Sequence, residues 1–66
     1  MSIAETLRRL QAERGESNYR LAKDLGVSQT SVANWLTGRN KPLGVYLQLL
    51  ADHYGVSVEQ LREGNT

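Results

Sequence analysis

Three observations on this chain of 66 residues predict an all-α fold of five short helices. Apolar residues recur at intervals of three and four, the spacing of one face of a helix, and nowhere alternate as in a half-buried strand. Ser2, Ser17, Ser28 and Ser57 stand where helices would begin, each offering a hydroxyl oxygen to the free N–H groups of a first turn. Gly15, Gly26, Gly38 and Gly55 stand where helices would end, at positions suited to a left-handed residue. A chain this short makes one domain, residues 1–66, with a thin core, and without cysteine it has no disulfide or thiolate zinc site to reinforce it.

The first helix opens on Ser2 and Glu5, a capping-box pair, and runs to about Arg14 with Ile3, Leu7 and Leu10 as its buried stripe. Gly15 ends it, and Ser17 caps a second helix whose first turn holds Asn18 and Tyr19 and whose apolar side holds Leu21, Ala22 and Leu25. Gly26 turns the chain, Val27 fills the corner and Ser28 caps a third helix from Gln29 to about Thr37. After Gly38 comes a polar loop, Arg39-Asn40-Lys41-Pro42, with Pro42 just before or within the first turn of a fourth helix. That helix is expected from about Leu43 to Tyr54, with Leu47, Leu50, Ala51 and Tyr54 inward. Ser57 then starts a short fifth helix through Val58, Leu61 and Arg62, followed by a frayed Glu63-Gly64-Asn65-Thr66 tail.

Residues 17–37 carry the functional signal. Two helices separated by about three residues form a helix-turn-helix unit, and the second has two unlike faces. Val32, Trp35 and Leu36 share an apolar side, while Thr30 and Asn34 point the other way with Gln29, Ser31 and Ala33 flanking them. Short, uncharged hydrogen-bonding groups suit the floor of a DNA major groove, where glutamine and asparagine can pair with adenine edges and threonine with several bases. On an isolated helix this face would be an ordinary solvated one, and the turn and loop around it are what favour the DNA reading.

Charge is distributed to match. The net charge is only +1, yet residues 17–42 carry Arg20, Lys23, Arg39 and Lys41 against Asp24, an excess of +3. Residues 1–16 are neutral, and residues 43–66 carry Arg62 against Asp52, Glu59 and Glu63, or −2. The basic excess therefore accompanies the two-helix unit.

Leu21-Ala22, Gly26-Val27-Ser28, Val32, Trp35, Gly38, Pro42, Leu47, Leu50-Ala51 and Gly55-Val56-Ser57 fall in the register of one family. With them the chain resembles the repressor and Cro class of phage and bacterial helix-turn-helix proteins, the XRE family, over nearly its whole length. The resemblance implies a compact, lambda-repressor-like five-helix domain that binds operator DNA as a symmetric dimer, its third helix in the major groove. It implies base contacts from Gln29, Thr30 and Asn34, and phosphate contacts at Ser17 and Asn18, at Ser28 and Ser31, and from Arg39 and Lys41. Two positions depart from the family. Where many members pair an arginine late in the first helix with a glutamate near the end of the third, this chain has Gln11 and Leu36, so no buried charge is orphaned. Where many have glutamine it has Asn18, a shorter arm, which leaves a phosphate held by backbone N–H groups as the expectation there.

The remaining residues carry quieter expectations. Trp35 belongs to the core with its indole N–H near the surface, and Arg8 and Arg9 form surface pairs with Glu5 or Glu13. Of Arg20 and Lys23, one faces phosphate and the other is solvated. His53 stands alone on the outward side of the fourth helix, with no second ligand at a suitable spacing, so neither a metal nor a catalytic role is expected. No nucleophile has an evident base and no glycine-rich phosphate loop occurs, which argues against an enzyme, a cofactor or a small-molecule ligand. Lacking an apolar run for a signal peptide or membrane span, the chain is expected in the cytoplasm, at the nucleoid when bound. Val45 and Leu49, flanked by Tyr46 and His53, make a second apolar surface on the fourth helix. A weak homodimer is expected there, joined by Val58 and Leu61 of the fifth. The rival from another class is an antitoxin-like or adaptor module that uses the same fold to hold a protein.

Overall fold

The computed structural model describes residues 2–64. Its helices are α1 (Ile3–Arg14), α2 (Asn18–Leu25), α3 (Gln29–Thr37), α4 (Val45–Tyr54) and α5 (Val58–Glu63), with no strand among the described residues. Asn65 and Thr66, the end of the expected tail, lie outside them. The serines cap as their positions predict. The hydroxyls of Ser2, Ser17, Ser28 and Ser57 each accept the backbone N–H three residues ahead, satisfying a donor that the first turn leaves open. At α5 the Gln60 side chain answers by accepting the Ser57 N–H at 2.8 Å, completing a capping box. At α1 the Glu5 carboxylate instead accepts from the Ser2 hydroxyl at 3.3 Å.

The corner between α2 and α3 closes through two backbone bonds, Gly26 N–H to the Lys23 carbonyl and Val27 N–H to the Ala22 carbonyl. This is a left-handed glycine stop, and Val56 N–H to the Ala51 carbonyl repeats it after α4. In both corners the following valine packs against the core.

Two expected boundaries move. α5 takes in Glu63, the first residue of the expected tail. α4 begins at Val45, two residues after Leu43, because Gly44 takes φ 56° and ψ −125°, a conformation outside any helix and hard for an L side chain to adopt. Pro42 therefore ends the loop as a buried plug, and Leu43 is left 71% exposed.

Leu7, Leu21, Val32, Leu50 and Leu61 are fully buried, and Leu10, Ala22, Trp35, Leu36, Leu47, Ala51 and Tyr54 complete the core around them. α3 lies against α1 and α2, α5 against α1 and α4, and α2 also meets α4. α3 is thus held from behind by two others. Leu61 corrects an expectation. It faces this core with no exposed surface, so it is not available to a second chain, and Val58 is partly buried against the same cluster. The fifth helix is short and must spend its one large leucine on closing the core. Among the described residues no helix is long and apolar enough to cross a membrane.

Candidate nucleic-acid interface

α3 presents the two faces that its spacing predicts. Val32, Trp35 and Leu36 are buried, Gln29 and Thr30 are exposed, and Asn34 is half-exposed on the same side as Thr30. Trp35 is core, its ring 5.6 Å from that of Tyr46 and tilted by 44°. At the start of α3, Ser28 accepts the Ser31 N–H at 3.1 Å and its hydroxyl lies 3.0 Å from the Ser31 hydroxyl. This serine pair ties the helix start together. With the Ser31 N–H taken by Ser28, the N–H groups of Gln29 and Thr30 are the ones that the first turn leaves without an intrahelical acceptor.

The loop after α3 folds back on it. Gly38 has φ 81° and an added Cβ would stand 3.6 Å from the Ala4 Cβ, so α3 ends where α1 passes. Asn40 N–H then donates to the Asn34 carbonyl at 3.2 Å, which sets Arg39 and Lys41 beside the end of α3. Both cations are exposed. Neither has an ion-pair partner among the described residues.

α2 supplies the other flank. Arg20 is paired with Asp24 at 3.3 Å, whereas Lys23 has no such partner among the described residues. Lys23 lines a groove with Tyr19, Ala22, Val27 and Gln29. Of the two α2 cations, then, Arg20 is the paired one and Lys23 the one at the groove. Tyr19, 57% exposed at the mouth of this groove, is a residue that the sequence reading passed over. Its signal in the sequence is an aromatic one helical turn before Lys23.

Ser17 is exposed and caps α2. Asn18 is half-buried, its Oδ1 accepting from Gln11 Nε2 at 2.7 Å. The two positions of the family's charged link, Gln11 and Leu36, each take part in a bond to a neutral acceptor, and only the one at Leu36 joins the first helix to the third. Gln11 ties α1 to the start of α2, and the Arg8 guanidinium donates to the Leu36 carbonyl at the end of α3. Arg8 therefore departs from the expected surface pair, because an unsatisfied helix-end carbonyl within reach is the better acceptor. Arg9 keeps its expected partner, Glu13, at 3.2 Å.

His53 also departs from expectation. It is turned inward, with Nε2 3.0 Å from Glu16 Oε2, and Glu16 accepts from the Tyr54 hydroxyl through its other oxygen. Burial, followed by the hydrogen bond and charge of Glu16, pushes the Tyr54 phenol well above its ordinary range. Arg14 covers the same ring at 5.1 Å. On α4's outer side Val45 is 65% and Tyr46 44% exposed, next to the exposed Leu43, while Leu49 is half-buried.

The family model of the helix-turn-helix domain matches residues 2–64. A crystal structure of a transcriptional regulator from Listeria innocua is similar to this chain, with 34% sequence identity and a TM-score of 0.88. The similarity covers 94% of this chain and 58% of that one, so the chain spans under two thirds of the regulator's length. No curated protein matches the sequence.

Proposed function

The chain belongs to the helix-turn-helix domain family, and from that premise we propose that it is a sequence-specific regulator that binds double-stranded DNA. It inserts α3 into the major groove of a palindromic operator and represses transcription there. One observation carries the reading. An uncharged hydrogen-bonding face, Gln29, Thr30 and Asn34, is held by a buried back and flanked by cations without ion-pair partners among the described residues, Lys23 on one side and Arg39 and Lys41 on the other. The neutral residues read base edges, and the cations with the starts of α2 and α3, at Ser17, Asn18, Ser28 and Ser31, hold phosphates. Similarity to a transcriptional regulator supports the same use.

The test is a gel-shift on random duplex DNA at low and moderate salt, followed by selection of the bound sequences. A DNA reader binds with a steep salt dependence and returns a motif, whereas an adaptor that holds a protein partner returns neither. Within that experiment Lys41→Ala should weaken binding to all duplexes about equally and lower the salt slope by about one counterion. A variant that lost specificity at an unchanged slope would assign Lys41 to a base.

A symmetric dimer completes the proposal, since one α3 reads only half of a palindrome. Leu43, Val45 and Tyr46 form the exposed apolar surface nearest to this need, with Leu49 at its edge. Pairing there would set two reading helices about 34 Å apart, one turn of DNA. Val45 is the cleaner site for a test than half-buried Leu49, and a glutamate in the first turn of α4 suits the helix dipole. Val45→Glu should therefore fold normally and lower the cooperative gain on a two-half-site operator by about tenfold, roughly 1.4 kcal/mol, while half-site affinity stays. Unchanged cooperativity would remove this surface from the assembly.

A further inference from the structure

Folding gathers three potential metal ligands that the sequence keeps apart. Glu16 lies in the corner between α1 and α2, Asp24 near the end of α2 and His53 near the end of α4, yet a ligand atom from each lies within 4.8 Å of the others. None of the three belongs to the proposed reading face. The Glu16 and His53 side chains are only 9% and 16% exposed, and Asp24 is 35% exposed, so the cluster is sheltered on two sides and open on the third.

We propose that Glu16, Asp24 and His53 bind a divalent transition-metal ion of the zinc class. The geometry suits a tetrahedral ion. Ligand atoms on bonds of about 2.0–2.1 Å stand roughly 3.3 Å apart, and His53 Nε2 is 3.0 Å from Glu16 Oε2. An ion enters between them with a small outward shift, and Asp24 closes from the solvent side by a change of side-chain rotamer. Two carboxylates and a neutral imidazole balance a double positive charge, and the fourth position is left to water. The imidazole selects against magnesium and calcium, which take oxygen ligands.

The surroundings are arranged as an outer shell. The Tyr54 hydroxyl donates to Glu16 Oε1, which fixes the carboxylate and leaves Oε2 facing His53. Arg20 approaches Asp24 through Oδ2 alone, leaving the other carboxylate oxygen for an ion. A bound ion would join the corner that precedes Ser17 to α2 and α4, fixing the start of α2 from behind.

The experiment is zinc titration of the chelator-treated chain, followed by calorimetry and by thermal unfolding with magnesium as control. It does not depend on DNA binding, so its outcome is separable from the proposed function. One equivalent of zinc should bind and raise Tm by on the order of 10 °C at about 100-fold over Kd, with no response to magnesium. Asp24→Asn, at an exposed position that leaves the core alone, should weaken binding at least tenfold, and His53→Gln should abolish the Tm shift. No uptake of zinc, or uptake that both variants retain, would overturn the site and leave Glu16 and His53 as a structural ion pair only.

Discussion

Leu61→Ala should cost about 2–5 kcal/mol of folding stability, because it removes a fully buried leucine whose surroundings can collapse only in part. A core this small supplies roughly 3–5 kcal/mol in all, so the variant should be largely unfolded near room temperature. Leu61 joins α5 to α1 and α4, which no other large side chain of α5 does while fully buried. Urea unfolding at two protein concentrations a hundredfold apart, a span chosen to expose any assembly, is the measurement. The loss should be the same at both, since it arises within one chain. A loss that shrank at high concentration would return Leu61 to an interface between chains and contradict its place in the core.

That result bears on what could be read before the fold was known. Helix starts and stops were legible because they are local. Ser28 caps with its own neighbour Ser31, and Gly26 turns on carbonyls three and four residues behind it. The faces of α3 were legible because helical periodicity alone separates Val32 and Trp35 from Thr30. The start of α4 was missed by two residues for a conformational reason, the φ of Gly44, which composition does not announce. Arg8 at the Leu36 carbonyl, Gln11 at Asn18 and His53 at Glu16 were missed because each joins residues from different elements of the fold. Periodicity assigns a residue to the outside of its own helix and is silent on which neighbour covers that outside. His53 faces away from the stripe of α4 and is covered all the same by the corner after α1. The outer face of α5 failed likewise, since a single leucine in a six-residue helix has no stripe to orient it.

Gln29→Ala and Asn34→Ala should each lower discrimination between operator and scrambled duplex by about 1–3 kcal/mol, roughly 5- to 150-fold, while the fold is retained. Stability should hold for reasons specific to each residue. Gln29 is exposed in the first turn of α3, where the cap is made by Ser28 with Ser31 and owes nothing to the glutamine side chain. Asn34 holds the loop after α3, but through its main-chain carbonyl, which accepts from Asn40 N–H and the Thr37 hydroxyl and survives the change to alanine. Alanine is also the better helix former at an interior position. What is lost is the amide, whose donor and acceptor together can engage an adenine edge, and each variant should relax preference at its own base position. The salt slope should stay near that of the unaltered chain, because neither residue carries charge. Competition binding with the selected operator and with single-base variants reads both quantities at once. If both variants kept full discrimination, the reading face would have to be sought elsewhere, first at Tyr19 and Lys23 across the groove from Gln29.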